Sequence, residues 1–186
     1  MSTSLNSPYH HGNLRQALLE AALIILEKDG EAGLGLRDLA RAVGVSAAAP
    51  YRHFDSRTAL LEALAVTGFQ RFSAAMNAVA DSAPADPMAA MGKTYVLFAL
   101  ENANLFRLMF SPQLKKDGRP GLRMAADAAF DTLRHVVGGD LKTGRIKALA
   151  AWAKVHGLAI LLLDGQIAIR AGEDTEALIA EIIGSL

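Results

Sequence analysis

No stretch of this chain alternates apolar and polar residues strictly. β-branched residues are sparse, and alanine and leucine dominate. A half-buried strand needs a period of two, so the regular structure left to the chain is helix, and the fold class read from the sequence is all-α. The first helix is expected to start at Asn13, with Gln16 at capping-box distance. Leu14, Leu18, Ala21, Ala22 and Ile25 then form an apolar stripe, and Gly30 ends the helix. Residues 36–43, LRDLARAV, read as a short second helix with Leu36, Leu39, Ala40 and Val43 inward. Gly44 is suited to the left-handed turn that stops it. Ser46 is a good cap for a third helix over 46–54, and a fourth runs over 57–79.

The stretch DSAPADP (81–87), with two prolines, reads as a linker. Beyond it, helices are expected near 88–102, 104–110, 120–138, 142–170 and 174–185, with a polar loop over 111–121. No internal repeat or low-complexity tract is visible.

A chain of 186 residues can bury a real core, and 52% apolar with 20% charged residues argues against disorder. The absence of cysteine excludes disulfide scaffolds, thiolate metal sites and cysteine nucleophiles. The start MSTSLNSPYHHGN has neither a basic region nor an apolar core of a signal peptide. The longest apolar run, Val155–Leu163, is interrupted by His156 and Gly157. It is too short to span a bilayer, so it is expected to be a buried helix segment, with no membrane partner.

Helix 36–43, a glycine turn and helix 46–54 have the proportions of a helix-turn-helix, whose first helix braces while the second enters a DNA major groove. Alanines 47–49 keep the surface low, so backbone and DNA can approach closely, and a methyl can pack on a thymine methyl. Tyr51 and His53 can reach phosphates or base edges, Arg52 and Arg57 supply charge, and Phe54 turns to the core. Formal net charge is +0, against the expectation for a DNA binder. Locally, Arg37, Arg41, Arg52 and Arg57 outweigh Asp38 and Asp55. The same tyrosine-to-phenylalanine run could also end an ordinary core helix; bracing helix, glycine turn and serine cap together favour the DNA reading.

The stretch LRDLARAVGVSAAAPYRHFDSRTALLEAL resembles the DNA-binding domain of the TetR family of bacterial transcriptional regulators. Gly44-Val45-Ser46, Tyr51 to Phe54, and Arg57 opening the next helix carry the likeness. It implies a DNA-binding domain over 10–72 and a helical regulatory and dimerisation domain over 73–186. It further implies a homodimer on a palindromic operator, a bacterial cytoplasmic location and a small-molecule ligand. Carried over by position, Ser46, Ala47, Ala48 and Ala49 face the groove, Tyr51 and His53 contact the backbone, Arg57 contacts a phosphate, and Arg37 reaches a base. Two positions depart from the family: Gly35 replaces a hydroxyl residue, and Pro50 stands where many members have Leu. Three alanines offer no bidentate hydrogen bonds, so base readout falls to Arg37, Arg52 and DNA shape. Tyr9-His10-His11-Gly12 resembles the opening of one subgroup and is expected near phosphate; adjacent histidines in an extended segment rarely chelate one ion, so no metal is expected.

In the C-terminal half, Met91, Tyr95, Phe98, Phe106, Met109 and Phe110 recur at helical spacing. Trp152 and His156 share a face of a later helix. These residues read either as core or as the wall of an apolar ligand pocket, with Tyr95, His156 and Asn102 as its polar groups; both can hold together. Trp152-x-x-x-His156-Gly157 resembles the signature of a TetR subgroup, and His156 fits core, interface or pocket. Ala150, Ala153 and Gly157 permit close helix packing; with Leu178, Ile182 and Leu186 on the last helix they form the expected dimer surface. No cofactor and no enzymatic activity are expected, because there is no phosphate loop, HExxH or paired nucleophile and base. The functional reading is a ligand-responsive repressor. The alternative is a helical small-molecule sensor without specific DNA binding.

Overall fold

The computed structural model describes residues 14–114, 118–138 and 140–185. The expected cap at Asn13, the Tyr9–Gly12 segment and Leu186 lie outside them. Among the described residues every regular element is helical: α1 Leu14–Asp29, α2 Leu36–Val43, α3 Arg57–Asp81, α4 Pro87–Glu101, α5 Ala103–Met109, α6 Pro120–Val137, α7 Leu141–Leu163 and α8 Thr175–Gly184, with 3-10 turns at Glu31–Gly33 and Pro50–Arg52. The chain divides into two compact units, one through Leu61 and one from Glu62 onward. The expected linker is a turn between α3 and α4 and lies inside the second unit.

In the first unit the core stripe of α1 is wider than the sequence pattern suggested. Leu18 and Ala22 are buried, and so are Leu19, Leu23 and Leu26, while Leu14, Ala21 and Ile25 form its half-buried edge. From α2, Leu36, Leu39 and Ala40 meet this stripe, and Val43 is half-buried. Gly44 ends α2 at φ 74°. There its N–H bonds to the Arg41 carbonyl at 3.2 Å, and the Val45 N–H to the Ala40 carbonyl at 2.9 Å, the paired bonds of a Schellman stop.

The second unit is built around α4 and α7. Val96, Leu158, Leu162 and Ile179 form a core joining α4, α7 and α8. Aspartates start three helices: Asp86, Asp140 and Asp174 each accept a backbone N–H one turn into α4, α7 and α8. α7 stops at Leu163, not at the expected residue 170. Gly165 turns left-handed at φ 66°, its N–H bonding to the Leu162 carbonyl at 3.0 Å and that of Gln166 to the Leu161 carbonyl at 2.9 Å. Residues 142–163 are long and apolar enough to cross a bilayer by length and composition. Within the chain they are packing helix instead, but only partly covered. Leu158, Ala159 and Leu162 are buried, whereas Ile146 is 57% and Leu161 44% exposed. The expectation of a fully buried segment over 155–163 is corrected to a helix with one covered and one open face.

Candidate functional site

The helix-turn-helix surface begins at the Gly44 stop. The expected third α-helix over 46–54 is replaced by a turn at 47–49 and a single 3-10 turn, Pro50–Arg52. The cause is local. Pro50 has no N–H to return to the Ser46 carbonyl, so the Ala49 N–H takes it three residues back at 2.9 Å. The Arg52 N–H then bonds to the Ala49 carbonyl at 3.2 Å and that of His53 to the Pro50 carbonyl at 3.0 Å, continuing the tighter winding. Ser46 supplies no side-chain cap. Pro50 is buried, and Phe54 is 2% exposed. The Arg15 guanidinium lies 5.4 Å from the Phe54 ring centroid, covering the core side.

Between these two anchors, Tyr51, Arg52 and His53 are all exposed, as are Ser46, Ala47, Ala48 and Arg37; Ala49 is half-buried. The turn thus puts eight of the nine residues read as DNA-facing on one accessible stretch of chain or the helix before it. Arg57 differs. Its Nε–H donates to the Leu34 carbonyl at 2.8 Å, one terminal N–H to the Glu31 carbonyl at 2.5 Å, and the other to the Glu31 carboxylate at 3.3 Å. Its guanidinium ties the start of α3 to the 3-10 turn before α2. Arg41 pairs with Asp38 at 3.1 Å. Among the described residues, Arg37 and Arg52 form no ion pair.

The second unit holds a cavity of about 190 Å³ lined by α3, α4, α6 and α7, with Phe110 at the end of α5. Tyr95, Phe110 and Trp152, which the sequence offered as either core or pocket wall, line it. Met91, Phe98, Phe106 and Met109 do not; they are buried core behind it. The walls that the sequence reading missed are Phe69, Phe72 and Met76 of α3 and Ala126, Phe130 and Leu133 of α6. Each set recurs at three-, four- and seven-residue spacing, which marks a helix face, but nothing in that spacing says that the two faces stand apart.

Polar chemistry enters the cavity through one linked group. Trp152 Nε1–H donates to the Tyr95 hydroxyl at 3.0 Å, and that hydroxyl lies 2.8 Å from His156 Nδ1. Among the described residues Nδ1 is the one acceptor paired with the Tyr95 hydroxyl, so the hydroxyl hydrogen is assigned to it, with His156 as the neutral Nε2–H tautomer. Burial lowers the His156 pKa below its usual value, which favours that neutral form. Burial likewise raises that of Tyr95, partly offset by the Trp152 hydrogen bond, so the group stays a phenol. His156 packs on Phe110 with ring centroids 4.7 Å apart and does not itself line the cavity. Asn102 is turned to the Phe98 carbonyl at 3.0 Å. Among the described residues no group of three potential ligands could hold a metal ion.

A short helix-turn-helix unit followed by a helical unit with an apolar cavity defines a class: one-component DNA-binding regulators, which join a reader of DNA to a chamber for a small molecule. Residues 18–64 match the tetR family of bacterial regulatory proteins, and residues 88–186 match the tetracyclin repressor-like C-terminal domain. The chain belongs to the TetR family and is a DNA-binding transcriptional regulator. A protein of unknown function from Rhodococcus sp. RHA1 is similar over 96% of this chain and 94% of its own, at 37% identity and a TM-score of 0.79. FadR from Bacillus subtilis, solved with stearoyl-CoA, shares the fold at 14% identity, covering 91% and 96% of the two chains with a TM-score of 0.68. AibR, solved with isovaleryl coenzyme A and operator DNA, does so at 18% identity, 92% and 96% coverage and a TM-score of 0.65. No curated protein matches the chain.

Proposed function

We propose that the protein is a ligand-responsive repressor that acts as a homodimer on a palindromic operator in the bacterial cytoplasm, and is not an enzyme. One observation carries the reading. α3 is a single continuous helix whose first residue, Arg57, holds the helix-turn-helix unit together and whose Phe69, Phe72 and Met76 wall the cavity. A molecule that displaces this wall shifts the helix that begins at the DNA reader, and DNA is released. AibR, solved with both a small molecule and operator DNA, supports a reader of DNA joined to a ligand chamber here, whatever the ligand. The open face of α7, with Ile146, Ala150, Ala153 and Leu161 exposed, supports dimerisation through α7 and α8. Trp152-x-x-x-His156-Gly157 is read as the mark of a subgroup's C-terminal domain.

DNA contact is assigned to Ser46, Ala47, Ala48, Ala49, Tyr51 and His53, with Arg37 and Arg52 as the cations available to phosphates and bases. A C2 dimer sets two such surfaces roughly 34–36 Å apart, one turn of duplex, or a little more. The second reading, a sensor without specific DNA binding, is favoured by the engagement of Arg41 and Arg57 with Asp38 and Glu31, which leaves little local positive charge. Selection of randomised duplexes by the purified protein separates the two. A palindromic consensus that Tyr51→Ala abolishes supports the repressor; no enrichment even at low salt refutes specific DNA recognition.

A further inference from the structure

The cavity is not neutral in what it asks of a ligand. Six of its lining residues are aromatic, around a space of about 190 Å³. No lysine, arginine or histidine lines it, and its one ionisable group besides the Tyr95 phenol is Asp127, at the α6 wall. The hydrogen-bond donors of the wall are spent. Trp152 gives its N–H to the Tyr95 oxygen, and Tyr95 gives its hydrogen to His156. What remains is acceptor capacity: a second lone pair on the Tyr95 oxygen and the Asp127 carboxylate. Asp127 is 68% exposed and only loosely held by Arg123, at 3.8 Å. An aromatic box with a carboxylate at its edge and no donor to offer favours positive charge and N–H groups, and disfavours anions and acceptors.

We propose that this cavity takes a compact aryl-alkyl ammonium ion, its apolar body against the phenylalanine faces and its N–H donors turned to Asp127 and the Tyr95 oxygen. The size fits: a cavity of about 150 Å³ holds benzene, whereas drug-sized ligands occupy roughly 300–1,000 Å³. A coenzyme A thioester fails on both volume and charge. This deepens the repressor reading, since it rests on the cavity being the effector site.

The chain has one tryptophan, and it sits in the cavity wall, so its fluorescence reports occupancy directly. Phenethylamine, 2-phenylethanol, phenylacetate and isovaleryl coenzyme A are titrated into the full-length protein at pH 7. Phenethylamine is expected to bind saturably and about tenfold tighter than 2-phenylethanol, with no saturable response to the two anions. Asp127→Asn, on an exposed side chain, is expected to bring phenethylamine down to the level of the alcohol. Tyr95→Phe frees the Trp152 N–H and is expected to improve binding of the alcohol relative to the amine. The proposal is overturned if the alcohol or either anion binds as tightly as the amine, if Asp127→Asn leaves the preference intact, or if no amine binds. Gel shift with the selected operator keeps the two readings apart. An amine that binds but leaves the DNA complex intact sinks the effector reading while the cavity's preference stands; DNA release by an anion alone sinks the preference while the effector reading stands.

Discussion

Arg57→Lys is the most informative single change. The Arg57 guanidinium makes two hydrogen bonds to backbone carbonyls, those of Leu34 and Glu31, and one contact to the Glu31 carboxylate. Hydrogen bonds from charged donors are worth about 1.5–3 kcal/mol when buried. The Arg57 side chain is 44% exposed, so about 1 kcal/mol for each carbonyl bond is appropriate, and the partly exposed ion pair adds about 0.5 kcal/mol. Lysine keeps the charge but reaches one acceptor at most, so Arg57→Lys is expected to cost about 1–2 kcal/mol and Arg57→Ala about 2–2.5 kcal/mol. Amide hydrogen exchange in α2 checks this locally, without requiring the two units to unfold together. A cost of 2 kcal/mol corresponds to roughly thirtyfold faster exchange. A residue that served only as a phosphate contact behaves differently. Its loss lowers the salt slope of DNA binding by about 0.9, lysine replaces it well, and exchange in α2 does not change. Wild-type exchange in Arg57→Lys, together with a reduced salt slope in Arg57→Ala, would refute the clamp.

Phe54→Ala empties the site beneath the exposed Tyr51–His53 segment and is expected to cost about 3–5 kcal/mol, read by urea denaturation, with loss of operator binding. Gly165→Ala forces a Cβ onto a left-handed residue and is expected to cost about 1 kcal/mol, seen as increased exchange at the last turn of α7. The Tyr95–His156 bond requires neutral histidine. With the folded pKa below the unfolded one, the unfolded state takes up the proton first. The contribution is therefore complete above about pH 6.5 and is lost as pH falls from there through the folded value. His156→Gln is expected to flatten that part of the stability profile.

How much of this was legible beforehand depends on how local the cause is. α2 over 36–43 and its stop at Gly44 follow from residues within one turn of each other, and α3 to α8 other than α7 start and end within about two residues of where their caps and apolar repeats placed them. The 3-10 turn at Pro50 is also local, since the missing N–H is visible in the sequence. What overrode the expected α-helix was the choice of the Ala49 N–H to take the Ser46 carbonyl. Likewise Gly165 marked the end of α7, but the apolar run before it masked the signal.

From sequence alone follow the helical character of the chain, the position of most helices and the inward turn of Phe54. Only tertiary structure decided which apolar face borders a gap. Phe69 and Phe72 recur at helical spacing on the same helix as the core residues Leu60 and Leu64, and nothing in that periodicity tells a cavity wall from solid core. It also decided that Arg57 holds a loop and that the donors of Trp152 and Tyr95 are used up. Each of these rests on partners more than twenty residues away in the chain, and a periodic pattern carries no information about such distances.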